Sequence, residues 1–228
     1  MYDNNRREVF HITFEECFPI WDKCNDTEKE VLKNSAEHVH YEKGQPILTG
    51  LECLGMILVD EGQVRAYCTS DEGREITLYR MFEHDLCILS ASCLLPNIQF
   101  TIYMTAEKDT DVWIIPPDIY ELMMETSLTI SNYSHQIMAA RLSDVMWLME
   151  QIMWKSIDKR LAAFLLEESN IEDNDILHIT HEKIADHMGS AREVVTRMLR
   201  HFQSDGLVKL SRGTIQITDR KALFNLTD

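Results

Sequence analysis

The sequence predicts an α+β chain: a region of short β-strands, then one long helix, then a smaller region of helices that ends in a hairpin. Short apolar stretches between Val39 and Ile115, several alternating with polar residues, are typical of strands. Turn residues such as Asp71-Glu72-Gly73 separate them at the spacing of a barrel or sandwich. The run from about Leu128 to Trp154 contains neither Gly nor Pro and predicts a single helix. We therefore divide the chain into regions 1–126, 127–154 and 155–228.

The first region opens with a predicted helix and continues in strands. Thr27-Glu28-Lys29-Glu30 has the spacing of a capping box, which predicts a short helix to about Glu37. The clearest strands are Leu54–Asp60, Gln63–Thr69, Glu75–Met81, Gln99–Thr105 and Val112–Ile115.

Composition places the chain among ordinary globular proteins. Of its 228 residues, 45% are hydrophobic and 26% are charged. No uninterrupted apolar run approaches the length of a membrane span, and the polar N-terminus lacks the apolar stretch of a signal peptide. We expect no membrane association and a reducing, cytoplasmic location. The six cysteines are then expected to be thiols, ligands or redox sensors rather than structural disulfides.

The formal net charge of −16 is unevenly distributed. Residues 155–228 carry 11 Lys and Arg against 12 Asp and Glu, so nearly all of the negative charge lies before them. Between residues 180 and 221, eight basic residues face five acidic ones. This mildly basic segment is suited to phosphates, while the acidic remainder discourages non-specific binding to nucleic acid.

The long helix carries an apolar seam at alternating spacings of four and three residues, which is typical of helix pairing. We predict that this seam joins two copies of the chain, although it alternatively packs on the chain's own domains. We expect Trp147, Leu148 and Trp154, which lie off the seam, to pack on those domains. The seam residues are Met138, Leu142, Val145, Met149 and Ile152.

The strongest local signal, from Thr180 to Leu210, predicts a helix-turn-helix followed by a hairpin. Ala185 is the small residue needed where two helices cross, Gly189 supplies the turn, and Val195 is the apolar residue that packs the second helix on the first. Leu207–Leu210 and Thr214–Thr218 flank a Ser-Arg-Gly turn and predict a wing. This arrangement predicts binding of double-stranded DNA. We find no motif of a hydrolase, metalloprotease or nucleotide-binding enzyme and expect no enzymatic activity.

The second helix of this motif is expected to begin at Ser190 and to read bases from its first turns. Arg192, Glu193, Thr196 and Arg197 lie near one face and have side chains that bond to base edges in the major groove. Glu193 alternatively completes a capping box with Ser190. Contacts with the DNA backbone are assigned to Ser190, Arg200, Lys209 and Arg212.

The order of strands, long helix and winged helix-turn-helix resembles the Crp/Fnr family of bacterial regulators over nearly the whole chain. The segment Ser190-Ala191-Arg192-Glu193-Val194-Val195-Thr196-Arg197 is similar to that family's reading segment. The resemblance implies that the strands form a double-stranded β-helix, a cupin-like β-roll that senses an effector. It implies a homodimer on an inverted-repeat site, with RNA polymerase as a further partner.

The sensor region departs from the branch of the family that binds cyclic nucleotides. No acidic residue follows Asp85 in the stretch to Cys93, and Phe100-Thr101 stands where that branch has an Arg-Ser pair for the phosphate. We therefore expect a small apolar effector or a thiol switch at Cys87 and Cys93, with plain barrel core as the alternative. We expect no cofactor; an iron–sulfur cluster on cysteines, or a haem, remains the alternative. The predicted effector pocket comprises Tyr79, Cys87, Cys93, Phe100, Tyr103 and Ile137.

Overall fold

The computed structural model describes residues 13–50, 53–90 and 101–227. The chain folds into two compact units: Met1–Ala66 with Arg80–Arg141, and Tyr67–Tyr79 with Leu142–Asp228. Among the described residues, no helix is both long enough and apolar enough to cross a membrane.

Two short helices precede the strands: α1 (Phe14–Cys17) and α2 (Asp26–Ser35), separated by a 3-10 turn. Helix α2 begins with a capping box in which Asn25 Oδ1 accepts from Glu28 N at 3.0 Å and Glu28 Oε2 accepts from Asn25 N at 2.8 Å. The capping box predicted at Thr27 is therefore wrong, since Asn25 offers the same spacing two residues earlier and is among the best capping residues.

Among the described residues, eight strands form two four-stranded sheets, in the orders β1-β8-β3-β6 and β2-β7-β4-β5. The recorded pairs β1–β8, β3–β8, β3–β6 and β2–β7 are antiparallel. This confirms the predicted β-roll class, and each of the five clearest predicted strands overlaps an observed one. The strands are β1 (Glu37–Tyr41), β2 (Pro46–Gly50), β3 (Met56–Glu61), β4 (Val64–Thr69), β5 (Glu75–Met81), β6 (Leu86–Cys87), β7 (Ile102–Ala106) and β8 (Thr110–Ile115).

The core of the first unit joins the strands to the flanking helices. Met56 and Leu58 of β3 are fully buried and pack with Phe14, Leu32 and Tyr120 from three different helices. Polar groups are buried as well. Asp60 accepts a hydrogen bond from the Cys17 thiol at 2.9 Å and lies 3.1 Å from His38 Nε2. Arg65 of β4 is only 1% exposed. The interior of the first unit therefore contains buried polar and charged groups beside its apolar side chains.

Helix α3 (Pro117–Thr126) leads into the long helix α4 (Leu128–Trp154), whose bounds agree with those predicted. The Tyr120 hydroxyl hydrogen-bonds to Ser134, which ties α3 to the first turns of α4. Only Ile130 and Ser134 of α4 are buried in the single chain. The C-terminal two thirds of α4 is thus covered little by the chain itself.

The C-terminal region consists of four helices and a three-stranded sheet in the order β10-β11-β9. Its core includes Leu161, Ile184, Leu199, Ile215 and Leu223, which come from all four helices and one strand. The elements are α5 (Ile157–Ile171), β9 (Ile176–Leu177), α6 (His181–Met188), α7 (Arg192–Ser204), β10 (Val208–Ser211), β11 (Thr214–Ile217) and α8 (Arg220–Asn225).

Candidate DNA-binding site

Helices α6 and α7 form the predicted helix-turn-helix. Thr180 caps α6 by accepting a hydrogen bond from Lys183 N at 3.1 Å. Gly189 ends α6 in the left-handed region, with φ of 63°, where a side chain is disfavoured. Ala185 and Val195 are 3% and 0% exposed, as expected of the residues where the two helices meet. The local signals therefore identified the motif correctly.

Helix α7 begins later than predicted. Its N-cap is Ala191 rather than Ser190, and no side chain caps it. The alternative capping role of Glu193 is therefore wrong, because Ser190 and Glu193 do not flank the helix start at the required spacing. The carboxylate of Glu193 is exposed and does not cap the helix. This favours its predicted contact with a base.

The wing is fastened to α7. Gln203 Oε1 accepts a hydrogen bond from Leu210 N at 2.9 Å, and β10 pairs with β11 from Val208 to Ser211. Gly213 turns the hairpin with φ of 72°. The wing tip is consequently held beside the helix-turn-helix, where a winged motif needs it to meet the DNA backbone.

A groove of about 470 Å³ lies between the start of α6, the start of α7 and the wing tip. Arg192 and Arg212 line it from two sides. Arg192 Nη1 lies 3.4 Å from Glu182 Oε2, and both side chains are more than 60% exposed. A groove with two arginines from separate elements is suited to binding the phosphates of a DNA strand. Glu182 was not identified from the sequence.

His181 also lines this groove and was likewise missed. Its Nδ1 lies 2.9 Å from the hydroxyl oxygen of Thr196, one of the predicted base-reading residues. Burial, followed by the charges of Arg192 and Arg200, lowers the pKa of His181 below its ordinary value. The imidazole is therefore neutral at pH 7 in the free protein.

The predicted DNA contacts lie mainly on exposed positions. Thr196 and Ser190 are half-buried. The exposed residues are Arg192, Glu193, Arg197, Arg200, Lys209 and Arg212. The roles of these residues toward bases or backbone remain predictions.

Comparison with known proteins identifies the family. A model of the Crp-like helix-turn-helix domain matches residues 159–226. A crystal structure of a transcriptional regulator of the Crp/Fnr family from Eubacterium rectale is 55% identical, with a TM-score of 0.90, and the match covers 92% of this chain and 98% of that one. The chain belongs to the Crp/Fnr family.

More distant Crp/Fnr relatives match over most of their length. The cyclic AMP receptor protein of Thermus thermophilus is 24% identical over 184 residues, which is 80% of this chain and 84% of that protein. The fumarate and nitrate reduction regulatory protein of Yersinia pestis is 24% identical over 222 residues, or 92% and 86%. The chain is thus a Crp/Fnr-type transcription regulator with a helix-turn-helix DNA-binding domain.

The predicted seam of this Crp/Fnr regulator follows the uncovered part of α4. Leu142, Met149 and Ile152 are 64%, 47% and 43% exposed, whereas Met138 and Val145 are half-buried. The expectation that Trp147 and Trp154 pack on the chain's own domains is wrong, because they are 57% and 77% exposed. Both tryptophans are exposed on the face of α4 opposite the seam.

The predicted effector-pocket residues are distributed over several elements. Cys93 and Phe100 lie outside the described residues. Cys87 is fully buried on β6, and Tyr79 is 7% exposed on β5 of the other sheet. Tyr103 of β7 and Ile137 of α4 are half-buried, and Ile137 packs against the core of the first unit. A common pocket for these residues remains a prediction.

The cysteines differ in state. Cys53 is disulfide-bonded, so the expectation that the cysteines form no disulfide is wrong at this position. Cys17, Cys24, Cys68 and Cys87 are free thiols. Burial raises the pKa of Cys17 to about 12 and that of Cys24 to about 11, which keeps both protonated and unreactive. Within the described ranges, no three His, Cys, Asp or Glu side chains are grouped as a metal site.

Proposed function

We propose that this protein is a homodimeric regulator that reads an inverted-repeat DNA site and whose DNA affinity is controlled by a small effector or a redox signal. The proposed recognition of DNA sequence rests on one observation. Helix α7, the second helix of the helix-turn-helix, presents Arg192, Glu193 and Arg197 as exposed side chains. Arginine pairs with guanine and glutamate with the amino group of cytosine in the major groove. RNA polymerase is the expected protein partner at a promoter.

The roles of base and backbone contacts are separable by mutation. Arg197→Ala is expected to cost about 1–3 kcal/mol at the cognate site and to relax preference at one G·C pair. Lys209→Ala is expected to weaken binding to all sequences alike and to lower the salt slope by about one. Fluorescence anisotropy on cognate and random duplexes at several salt concentrations measures both. Equal losses on both duplexes for Arg197→Ala would assign Arg197 to the backbone.

The homodimer rests on the exposed apolar seam of α4. At about 1.5 Å per residue this helix is roughly 40 Å long, and its C-terminal part is little covered by its own chain. Pairing two copies along Leu142, Met149 and Ile152 removes these side chains from water. The two recognition helices of such a dimer reach half-sites about 34–36 Å apart.

The seam is tested by adding charge to one face of α4. Val145→Asp with Met149→Asp is expected to give a monomer in light scattering that no longer shifts an inverted repeat. The control, Ala140→Asp with Ser143→Asp, adds the same charge on the exposed opposite face and is expected to remain dimeric. A dimeric seam variant would show that the interface lies elsewhere.

The effector is proposed to be something other than a cyclic nucleotide. A phosphate without a nearby cation is costly to bury, and Phe100-Thr101 stands where the Arg-Ser pair is expected. Cyclic AMP and cyclic GMP at millimolar concentration should leave the thermal midpoint unchanged. Stabilisation by either nucleotide would overturn this assignment.

No resident cofactor is needed for this function, and we propose that none is bound. Iron–sulfur clusters and haems absorb visible light strongly. A colourless, anaerobically purified protein supports the proposal, whereas a charge-transfer or Soret band would replace it with the iron–sulfur or haem alternative.

A further inference from the structure

His181 and Thr196 couple the first helix of the motif to the reading face of the second. His181 is the first residue of α6, and Thr196 lies 15 residues later in the middle of α7. Their side chains meet at 2.9 Å between Nδ1 and Oγ1, and both are half-buried. The imidazole thus contacts the hydroxyl of a residue that we predict to read a base.

A hydroxyl has one hydrogen to donate, so its partner decides what it offers to a third group. When Nδ1 is unprotonated, it accepts the Thr196 hydrogen, and Oγ1 turns only lone pairs toward the groove. When the ring is protonated, Nδ1–H donates to Oγ1, and the hydroxyl hydrogen is released for an acceptor. The two states of the ring therefore present opposite hydrogen-bonding polarity at the same atom.

Charged groups around His181 come from three elements. Arg192 and Arg200 face it from α7, Arg212 lines the same groove from the wing, and Glu182 adjoins it on α6. The two arginines of α7 and burial favour the neutral ring, whereas a DNA phosphate near Nε2 favours the protonated ring. The balance between these states is therefore set in part by the DNA itself.

We propose, on the basis of the function given above, that His181 is a positioning residue that sets the hydrogen-bonding polarity of Thr196 and so the base preference beneath it. With the neutral ring in its Nε2–H tautomer, Thr196 donates to Nδ1 and accepts from an amino group, adenine N6 or cytosine N4. With the protonated ring, Thr196 donates to an acceptor, guanine O6 or N7 or thymine O4. Base preference at one position of the half-site then depends on pH.

The test is competitive binding of duplexes that differ at each half-site position in turn, at about pH 8 and about pH 5. The lower pH lies more than one unit below the ordinary histidine pKa of about 6.5, because the pKa of His181 is lowered in the free protein. For the wild type, one position should shift by about three- to tenfold from amino-bearing to acceptor-bearing bases as pH falls, the scale of one hydrogen bond. Thr196→Val should lose preference at that position at both pH values. His181→Phe should lose its pH dependence.

Two controls separate this coupling from other effects. His201→Gln removes an exposed histidine that pairs with Asp205 at the far end of α7 and should retain the full shift. His181→Gln, which is polar but does not titrate, replaces His181→Phe if the latter does not fold. A wild type without a pH-dependent position, or a shift retained in the His181 variant, overturns the positioning role. Equal binding of all duplexes, by contrast, overturns the proposed sequence-specific function itself.

Discussion

Substituting the turn glycine of the helix-turn-helix combines backbone strain with a defined steric contact. Gly189 has φ of 63°, and an added Cβ would lie 2.9 Å from Ile76 Cδ1 and 3.2 Å from Ile76 Cβ. Ile76 belongs to the same compact unit and forms a bridge with Met188. The left-handed conformation costs an alanine about 1–2 kcal/mol. The steric contact is expected to add less free energy than the backbone strain, because the closest atom is the movable end of a side chain.

Gly189→Ala is therefore expected to destabilise the protein by about 1–3 kcal/mol, equivalent to a fall in thermal midpoint of about 2–4 °C per kcal/mol for a chain of this size. Gly213→Ala is the matched control, since it has φ of 72° and nothing within 4 Å of the added Cβ. Both variants are measured by differential scanning fluorimetry, alone and with Ile76→Ala.

The difference between Gly189→Ala and Gly213→Ala reports the contact, and Ile76→Ala should reduce that difference, because it removes Cδ1 and leaves only Cβ at 3.2 Å. An unchanged midpoint for Gly189→Ala would refute the strain argument. A difference that is as large with Ile76→Ala as without it would refute the steric argument and leave the strain argument intact.

Two further predictions concern cysteines. Because burial, with help from Asp60, raises the pKa of Cys17 to about 12, the folded state holds this proton more tightly than the unfolded state. Its stabilising contribution is full below the ordinary thiol value of 9.0 and is lost as the pH rises from there toward about 12. When the pH is raised from about 8 to about 10.5, the urea midpoint of unfolding should therefore fall less in Cys17→Ala than in the wild type. An equal fall in the two proteins would contradict this prediction. If the signal is redox, reduction by dithiothreitol, which opens the disulfide at Cys53, should change DNA affinity in the wild type and in Cys87→Ser but not in Cys53→Ser. Loss of the response in Cys87→Ser alone would assign the switch to Cys87.

The sequence predicted the C-terminal half well because its signals are local. Ala185, Gly189 and Val195 each meet a steric requirement that a nearby residue imposes, and all three lie where expected. The long helix was equally clear, since no helix-breaking residue interrupts α4. Helix starts were less secure: Asn25 and Thr27 both begin a capping pattern, and only packing decides between them.

Features that depend on distant residues were not predictable. The contact between His181 and Thr196 requires the crossing of two helices, and no spacing of residues in the sequence predicts it. Burial of Arg65 depends on the packing of its strand, and the disulfide at Cys53 requires a second cysteine brought close to it by the fold. Each feature joins groups that are brought together only by tertiary structure, so the pattern of a single sequence does not predict it.

The pair between Arg192 and Glu182 leads to a final prediction about specificity. An exposed ion pair is worth about 0–1 kcal/mol, whereas a good arginine–guanine contact is worth about 1–3 kcal/mol. Replacing the Glu182 contact of Arg192 by a contact with the correct base therefore lowers the free energy of binding. Replacing it by a contact with a phosphate of random DNA lowers that free energy little. Glu182→Gln should tighten binding to random DNA more than to cognate DNA and so reduce discrimination. Asp205→Asn removes the same charge at the far end of α7 and should leave the ratio unchanged. If Glu182→Gln leaves that ratio at the wild-type value, the carboxylate does not compete with DNA for Arg192.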